Sequence, residues 1–410
     1  MALSDCDVVI IGAGAAGLLA AARAGMRGKR VLLLEKNARP GVKILMSGGT
    51  RCNITQNTNN RGIIEAFGKN GQFLHSALAA LGVKELVAMF EAEGVATKIE
   101  DTNKIFPASD KASDVLAALV RLADRHGATL ALGEPVQEVA AVDAGFGVTT
   151  PARVVHAPKL LLTTGGQSYP GSGTTGDGYR IAARFGHTIV PPRPALVPIT
   201  TSAAWVRELR GITLPDVSVR VLEQDKPLAS RRGSLLFAHF GLSGPVILDV
   251  SRAVSSHAQP QALQLEIDFL PTMKGQALDD WLKNESLASG KKQLAVVLSS
   301  LLPRRLCDEL LRVAGQAVDR KAAALSKPDR TLLGNAVQRA RLPITGTLGF
   351  GKAEVTAGGV ALNEVDSKTM QSKRQPGLYF AGEVLDLDGY IGGYNFQAAF
   401  STGWLAGSSI

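Results

Sequence analysis

A glycine-rich turn near the amino terminus, G-x-G-x-x-G, constrains the fold of this chain more than any other sequence feature. The segment before it, Asp7–Gly12, is rich in β-branched residues and predicts a strand, whereas Ala15–Arg27 is rich in alanine and predicts a helix. Arg30–Glu35 predicts a second apolar strand. The chain therefore begins with a β–α–β unit whose glycines lie where the first strand meets the helix.

Each glycine of this turn has a mechanical role in dinucleotide binding. The first permits the tight turn, the second lets a pyrophosphate approach the backbone, and the third lets helix and strand pack closely. Free N–H groups at the start of the helix attract the anion, and the acidic residue that ends the second strand accepts hydrogen bonds from the adenosine ribose. The sequence therefore predicts a dinucleotide site formed by Gly12, Gly14, Ala15, Ala16, Gly17 and Glu35.

A second copy of the glycine pattern, Gly171–Gly176, has a different context. It follows a proline instead of a strand, and no acidic strand end lies at the required distance after it. We interpret it as a loop. A nicotinamide nucleotide, if it is the electron donor, is therefore expected to bind without a Rossmann domain of its own.

Three further turns contain residues that suit a bound anion or a planar group, although each alone also fits an ordinary turn. Ser47–Asn53 combines two glycines with a hydroxyl, an arginine and an amide, which suit an anion or a ribityl chain. Thr163–Gly166 ends a predicted strand and permits a close approach to a ligand. Near the carboxyl end, Glu383 follows a strand, and Gly392 and Gly393 precede a helix. A carboxylate accepts ribityl hydroxyls, and a helix N-terminus stabilises negative charge on a reduced flavin.

The length of 410 residues allows two or three domains. Four prolines within residues 191–198 interrupt regular structure and predict a domain boundary. Short alternating segments in 194–271 predict a small β-barrel or sheet, and helical spacing of Leu and Ala in 272–345 predicts a helical insert. Residues 1–193 and 346–410 are predicted to be the two parts of one dinucleotide-binding domain. The predicted fold class is α/β, a split Rossmann-like fold with a β-barrel and a helical insert.

Four stretches of the chain resemble one bacterial family, the BaiN-like flavoproteins, which are NAD(P)/FAD-dependent oxidoreductases with an aminoacetone oxidase among their relatives. They are KILMSGGTRCN, KIFPASDKASDVL, LLTTGGQSYPGSGTTGDGY and VTAGGVALNEV through GLYFAGEVLDLDGYIGGYNFQAA. The resemblance covers nearly the whole chain. It implies an FAD fold of the two-dinucleotide-binding-domain group, divided by a β-barrel and a helical domain. It also implies hydride transfer between flavin N5 and a small organic substrate or NAD(P)H, with oxygen or an unsaturated compound as the acceptor.

The resemblance also implies which residues hold FAD. They are Gly12, Gly14, Gly17, Glu35, Lys36, Lys43, Ser47, Gly48, Gly49, Arg51, Asn53, Gly165, Gly166, Gly382, Glu383, Gly393, Asn395 and Phe396. The predicted cofactor site is completed by Cys52, Val136, Thr164 and Gly392. One position departs from the family, because Thr50 stands where a third glycine is usual. A positive φ there would be unfavourable for a side chain that carries a Cβ.

Tyr169 and His239 are the candidate catalytic residues. Tyr169 follows the TTGG turn, so its phenol either faces the flavin or substrate or serves as a packing group. His239 lies in the stretch LLFAHFGLSGP, where an imidazole either exchanges a proton beside the flavin or has a structural role. Cys52 has no partner cysteine in a CxxC pair, which disfavours disulfide-reductase chemistry. No metal site is predicted, because the three cysteines lack metal-binding spacing.

The formal charge of +9 is concentrated in one stretch, because residues 291–341 hold 11 basic and 4 acidic residues. This surplus keeps an RNA-associated flavoprotein open as an alternative function. No aromatic residue lies between these charges, so base stacking is unsupported and a small-molecule substrate is favoured. A flavin-binding partner without turnover is a third alternative. The possible phosphate contacts are Arg304, Arg305, Arg312, Arg320, Lys321, Arg339 and Arg341.

Location and assembly are constrained only loosely by the sequence. The apolar run Val8–Ala22 is 15 residues long, which is too short for a membrane span, and it is preceded by Asp5 and Asp7 instead of the basic start of a signal peptide. Scarce cysteines favour a reducing, cytoplasmic compartment. We therefore expect no membrane partner, and the oligomeric state stays open.

Overall fold

A computed structural model describes residues 5–273 and 275–410. The strands, in chain order, are β1 (Val8–Ile11), β2 (Val31–Glu35), β3 (Thr55–Gln56), β4 (Thr97–Ile99), β5 (Lys104–Pro107), β6 (Thr129–Leu132), β7 (Glu138–Val142), β8 (Gly145–Thr149), β9 (Val154–Ala157), β10 (Lys159–Leu162), β11 (Ile189–Ala195), β12 (Ile199–Thr201), β13 (Thr213–Glu223), β14 (Lys226–Ala238), β15 (Gly241–Ser243), β16 (Leu263–Asp268), β17 (Ala340–Thr347), β18 (Val355–Val360) and β19 (Leu378–Phe380).

Helices connect most of these strands. The α-helices are α1 (Ala15–Met26), α2 (Val42–Thr50), α3 (Asn60–Ala66), α4 (His75–Ala80), α5 (Val83–Ala92), α6 (Ala112–Arg125), α7 (Asp177–Arg184), α8 (Ala204–Glu208), α9 (Pro245–Ser255), α10 (Gly275–Ala288), α11 (Leu294–Leu298), α12 (Arg304–Val313), α13 (Lys327–Gln338) and α14 (Tyr394–Ser409). Short 3₁₀ helices are found at Gly68–Leu74, Pro170–Ser172, Pro260–Ala262, Ala322–Ala324, Phe350–Lys352, Leu362–Glu364 and Gly382–Val384.

The chain divides into two compact units. The first extends up to Pro194 and resumes at Glu354–Ile410, and the second is Ala195–Ala353. In the first unit, a parallel sheet has the strand order β19–β10–β1–β2–β6. Its inner strands are almost continuous Val, Ile and Leu, as expected for strands that are buried on both faces. The predicted α/β class is confirmed.

The carboxyl-terminal helix packs directly on the amino-terminal helix. A Cβ placed at Gly403 of α14 would lie 2.4 Å from the carbonyl oxygen of Ala16 in α1. One turn later, a Cβ at Gly407 would lie 2.5 Å from the carbonyl oxygen of Ala20. The two glycines therefore let the backbones approach closely, and the two ends of the chain build the same unit.

Apolar residues at helical spacing extend over 74–93, but the chain does not form one helix there, because it is interrupted at Leu81 and Gly82. The side chains of Ser401 and Gln397 on α14 donate to the carbonyl oxygen of Leu81, at 2.7 and 3.2 Å. Gly82 is extended and begins a new helix, α5. This tertiary contact satisfies a carbonyl that a continuous helix would otherwise use.

The second unit contains a closed barrel with the strand order β12–β15–β14–β13–β16–β17. This confirms the barrel that was predicted from short alternating segments. Helices α10 to α13 lie in the chain between β16 and β17, so the barrel is completed only after the helices. The closing strand is visible in the sequence as ARLPITGT, where Ala340, Leu342 and Ile344 are buried in alternation with exposed residues.

Among the described residues, no single helix has both the length and the apolar character that a membrane span needs. The bent pair of segments at 68–80 and 83–92 meets these two criteria only when both are counted together.

Candidate functional site

The first glycine turn is held by the neighbouring strand. Gly12 has a φ of 106°, and its N–H donates to the carbonyl oxygen of Leu34 at 2.8 Å. The Thr163 hydroxyl donates to the carbonyl oxygen of Gly12 at 2.8 Å, and a Cβ at Gly12 would lie 2.6 Å from the Thr163 carbonyl oxygen. A Cβ at Gly17 would lie only 1.9 Å from the Gly12 carbonyl oxygen. These two glycines are therefore required by packing within the protein.

Gly14 has different surroundings. A Cβ at this position would meet no protein atom within 4 Å. The next two residues, Ala15 and Ala16, begin α1, and helix geometry leaves their N–H groups without an intrahelical acceptor. Open space in front of free N–H groups at a helix N-terminus fits a bound phosphate.

Glu35 ends β2 beside this turn and is buried. Its Oε2 accepts a hydrogen bond from the N–H of Ala13 at 2.9 Å, and its Oε1 accepts one from the N–H of Asn37 at 2.9 Å. These bonds fix the carboxylate next to the glycine turn, and each oxygen keeps a lone pair for a further donor such as a ribose hydroxyl. Lys36 is engaged elsewhere, because its Nζ forms an ion pair with Asp177 at 2.6 Å.

The turn that ends α2 contains consecutive residues with left-handed backbone. Gly48 and Gly49 have φ values of 55° and 67°, and Thr50 continues this conformation with a φ of 70°. Thr50 thus adopts the positive φ, although its β-branched side chain makes this conformation unfavourable. Such a conformation costs roughly 1–2 kcal/mol, because the Cβ crowds the neighbouring carbonyl oxygen.

We expect Thr50→Gly to stabilise the folded protein by about 1 kcal/mol, because relief of this strain exceeds the extra chain entropy of glycine. Thr50 is exposed, so no buried contact is lost. Thermal unfolding of the FAD-free protein measures the effect. Thr102→Gly is the matched control, since Thr102 is an exposed turn residue without a positive φ. If the melting temperature falls in both Thr50→Gly and Thr102→Gly, the backbone at Thr50 is not strained.

Arg51, Cys52 and Asn53 complete this turn with different surroundings. The Arg51 guanidinium forms an ion pair with Glu100 at 2.5 Å and lies 4.2 Å from the centroid of the Phe106 ring. The Cys52 thiol is buried, and burial raises its pKa to about 12, so it stays protonated. Asn53 is also buried, and its Oδ1 has no hydrogen-bond partner among the described residues. Of these three side chains, Asn53 has an unused polar atom for a ligand.

A four-residue network joins segments that are distant in the sequence. Lys43 Nζ lies 2.5 Å from Glu383 Oε2 and donates to the Ser168 hydroxyl at 2.7 Å. Glu383 Oε1 accepts from the Ser168 hydroxyl and from the Thr356 N–H, each at 2.9 Å. Lys43 and Glu383 were predicted site residues, whereas Ser168 and Thr356 were missed. Both missed residues lie in the stretches that carry the family resemblance, which was the available signal.

The TTGG turn lies between this network and the first glycine turn. Its Gly165 has a φ of 70°, and a Cβ at Gly166 would lie 2.3 Å from the hydroxyl oxygen of Thr356. A Cβ at Gly12 would lie 3.1 Å from the Cα of Thr164. The Thr164 hydroxyl is buried and has no hydrogen-bond partner among the described residues, so it too is available to a ligand.

The carboxyl-terminal glycine segments meet the same region. Gly382 has a φ of 77°, and a Cβ there would lie 2.9 Å from the Cβ of Ala16 at the start of α1. Gly393, with a φ of 93°, precedes α14, and a Cβ there would lie 2.6 Å from the backbone of Thr55. A Cβ at Gly392 would lie 2.9 Å from the side-chain oxygen of Gln56. The structure thus brings predicted residues from both ends of the chain together.

Two other predicted residues near Gly393 have contacts within the protein. The Asn395 side chain accepts from the N–H of Gly389 at 2.8 Å and donates to its carbonyl oxygen at 3.1 Å. Phe396 stacks on Phe400, with ring centroids 5.9 Å apart. The Asn395 bonds hold the loop before α14, whereas the Phe396 contact lies within that helix. Val136 is half-buried and packs against the core of the first unit.

The two candidate catalytic residues lie in different units. Tyr169 is half-buried in the first unit with a φ of 51°, and its carbonyl oxygen accepts two hydrogen bonds of 2.8 Å from Ser172. Burial, and then the nearby Glu354 carboxylate, raise the pKa of Tyr169. His239 is exposed in the second unit, at the turn between β14 and β15, where its ring contacts that of Phe240. Both catalytic roles stay predictions.

Unused polar atoms in this region fit a large polar ligand. Besides Asn53 and Thr164, the hydroxyl of Tyr179 is buried and has no hydrogen-bond partner among the described residues. Burial raises the pKa of Tyr179, as do the Glu383 and Asp386 carboxylates. Buried polar atoms without partners are costly in a folded protein. Together with the open space at Gly14, they are consistent with the phosphates and polar ring edge of FAD.

Comparison with known proteins identifies relatives along the whole chain. Residues 6–409 match the family model described as HI0933-like protein Rossmann domain. The chain is 37% identical over 407 residues to a ribosomal RNA dihydrouridine synthase of Escherichia coli (strain K12), with 98% of each chain covered. A protein of the same name from Haemophilus influenzae is 35% identical over 410 residues, again with 98% of each chain covered.

A third relative has a different name. The 3-dehydro-bile acid delta(4,6)-reductase of Clostridium scindens is 30% identical over 401 residues, with 97% of each chain covered. Among solved structures, a 3-ketosteroid delta1-dehydrogenase from Sterolibacterium denitrificans superposes with a TM-score of 0.51 at 14% identity, with 98% of each chain covered. At this identity the likeness concerns the fold alone.

Proposed function

Because the chain belongs to the HI0933-like family and is an FAD-dependent oxidoreductase, we propose that it reduces the C5=C6 bond of a uracil base in ribosomal RNA. The observation that carries the proposal is identity of 37% and 35% to two ribosomal RNA dihydrouridine synthases along 98% of their length. Dihydrouridine differs from uridine by two hydrogens at C5 and C6, next to the C4 carbonyl. An unsaturated substrate, rather than oxygen, would then be the acceptor.

The relatives share a type of chemistry although their substrates differ. The name of the bile acid enzyme describes reduction of double bonds in a 3-oxo compound. In both cases hydrogen is added to a carbon–carbon double bond that is conjugated to a carbonyl group. The general reaction is therefore supported by all three relatives, and the uracil substrate by two.

The residues of the first unit would hold the cofactor as follows. Gly14 and the first turn of α1 would accept the pyrophosphate, and Glu35 would accept the ribose hydroxyls. The Lys43–Glu383 pair, held by Ser168, would orient the isoalloxazine end. When bound, FAD supplies the two-electron redox chemistry.

Reduction of a conjugated double bond also requires a proton at the carbon next to the carbonyl group. We propose the Tyr169 hydroxyl as its donor. Its raised pKa keeps the phenol protonated at neutral pH, and it directly follows Ser168 of the network around Glu383. His239 stays a second candidate for this role. We also propose NAD(P)H as the source of hydride.

The test of this function is restoration of dihydrouridine in an Escherichia coli strain that lacks its own ribosomal RNA dihydrouridine synthase. We expect expression of this chain to restore the modification, measured by mass spectrometry of nucleosides from purified ribosomal RNA. The purified flavoprotein should form dihydrouridine in the same RNA with NADPH or NADH under anaerobic conditions. If NAD(P)H reduces the flavin but ribosomal RNA does not reoxidise it, the proposal is wrong.

A small 3-oxo compound with a conjugated double bond is the second candidate substrate. It is favoured by the 30% identity to the bile acid reductase and by the resemblance of four sequence stretches to the BaiN-like flavoproteins. Anaerobic mixing of the reduced protein with a 3-oxo-4-ene steroid distinguishes the two. Rapid flavin reoxidation by the steroid, with none by ribosomal RNA, would assign the chain to the second substrate class.

A further inference from the structure

We propose that the second unit binds the phosphate backbone of the RNA through one exposed surface, the basic ridge, which consists of Arg207, Arg210, Lys291, Lys292, Arg305 and Lys321. The inference rests on the proposed function, because it supplies that reaction with a binding surface for its RNA substrate. It differs from the phosphate contacts predicted from the sequence, since ion pairing in the structure selects a different set of side chains.

Ion pairing divides the basic residues of this unit into two groups. Most of the arginines in 291–341 that the sequence offered as phosphate contacts have carboxylate partners within the chain. These pairs are Arg304 with Asp308, Arg312 with Glu309, Arg320 with Asp329, and Arg339 and Arg341 with Glu266. The six ridge residues form no ion pair within the described part of the chain, so their charge is available to an external anion.

Three of these side chains lie together because two chain segments run side by side. Gln293 and Lys321 form an antiparallel bridge, and the N–H of Ala322 donates to the carbonyl oxygen of Lys292 at 3.0 Å. Lys291, Lys292 and Lys321 are therefore neighbours, and all three are exposed. Like charges at such short range are unfavourable unless counterions or a polyanion neutralise them.

The three arginines of the ridge form a second group that is continuous with the first. The Arg305 guanidinium donates to the carbonyl oxygen of Glu208, which places it beside the turn that carries Arg207 and Arg210. The neighbouring Arg304 donates to the side-chain oxygen of Gln293, at 3.5 Å, and so connects the arginines with the lysines. The ridge is thus one surface.

The chemistry of the ridge fits a phosphate backbone. Within two residues of a ridge residue in the sequence, the carboxylates are those of Glu208 and Asp319, so the six cations outnumber them. The ridge side chains are all cationic, which suits contact with phosphates. The base itself would be recognised at the flavin. Charge complementarity therefore favours RNA as the occupant.

The test uses the FAD-loaded protein and a fluorescent single-stranded oligouridylate as the probe. We expect the triple variant Lys291→Gln, Lys292→Gln, Lys321→Gln to bind the RNA about tenfold more weakly or worse. The slope of log affinity against log salt should decrease by about 2, since each lost phosphate contact removes ~0.7. The matched control removes three exposed lysines of the first unit, Lys69, Lys84 and Lys368, and should bind as the parent does. If the triple variant fails to fold, Arg207→Gln with Arg210→Gln tests the other end of the ridge.

The outcomes separate this inference from the proposed function. If RNA affinity falls equally in the ridge variant and the control, the ridge is not the RNA-binding surface. This holds even if the parent protein forms dihydrouridine. A loss of RNA affinity in the ridge variant alone supports RNA binding by the ridge, even if the parent protein forms no dihydrouridine. Salt-sensitive binding to vesicles of anionic phospholipid, without binding to oligouridylate, would overturn the inference in favour of a membrane surface.

Discussion

Replacement of Gly17 by alanine is expected to lower the melting temperature of the FAD-free protein by roughly 5–10 °C, which corresponds to about 3 kcal/mol. The added Cβ would lie 1.9 Å from the Gly12 carbonyl oxygen and 2.6 Å from the Thr163 hydroxyl oxygen. The first of these atoms belongs to the backbone of the glycine turn. The clash is therefore relieved only if α1 moves away from β1, which also disrupts the start of the cofactor site. Thermal unfolding followed by circular dichroism measures this loss.

Gly14→Ala is the matched control, because it adds the same methyl group three residues before Gly17. Its Cβ would meet no protein atom within 4 Å, and its φ of −85° suits alanine. The melting temperature of the FAD-free protein should therefore stay unchanged. FAD affinity should fall about 10- to 100-fold, or roughly 1.4–2.7 kcal/mol, because the methyl group occupies the approach of the pyrophosphate.

Titration of the FAD-free protein with FAD, followed by quenching of flavin fluorescence, measures this affinity. If Gly14→Ala binds FAD as tightly as the parent does, the pyrophosphate does not lie against this turn, and the assignment of the motif is wrong. Equal losses of thermal stability in both variants would show that the space in front of Gly14 is not open in solution.

The glycine turn was predictable because its physical requirements are local. The strand before Gly12, the helix after Gly14 and the acidic end of β2 are all encoded within about 30 consecutive residues, a typical length for a β–α–β unit. A position with a positive φ favours glycine, and so does a position where another backbone segment lies too close for a Cβ. The structure shows in addition that Gly12 and Gly17 are required by packing, whereas Gly14 leaves space for a ligand.

The network around Glu383 was only partly predictable, because it depends on tertiary contacts. Lys43 and Glu383 are separated by 340 positions, and they meet only when β18 and β19 join the first unit. Nothing in the local pattern around Ser168 or Thr356 distinguishes them from other hydroxyl residues. The broken helix at Leu81 has the same origin, since its interruption depends on side chains of α14. Long-range hydrogen bonds can thus override local helical periodicity.

Tyr169→Phe is expected to lower the turnover number for reduction of the unsaturated substrate about 100-fold or more, with little change in KM. The substitution removes one hydroxyl and preserves the ring, so packing of the half-buried side chain is retained. Reduction of the flavin by NAD(P)H requires no proton from this phenol, so its rate should stay within about twofold of the parent rate. Stopped-flow absorbance of each half-reaction separates the two steps.

The pH dependence distinguishes a proton donor from a packing residue. An acid is active only while protonated, so parental turnover should persist through neutral pH and decline as pH rises through the raised pKa of Tyr169. The phenylalanine variant should lack this alkaline decline. Tyr379→Phe is the matched control, because it removes a buried tyrosine hydroxyl in β19 and should change neither half-reaction. If Tyr169→Phe slows both half-reactions equally, or releases FAD, the phenol supports the fold of the site and the proton comes from another group.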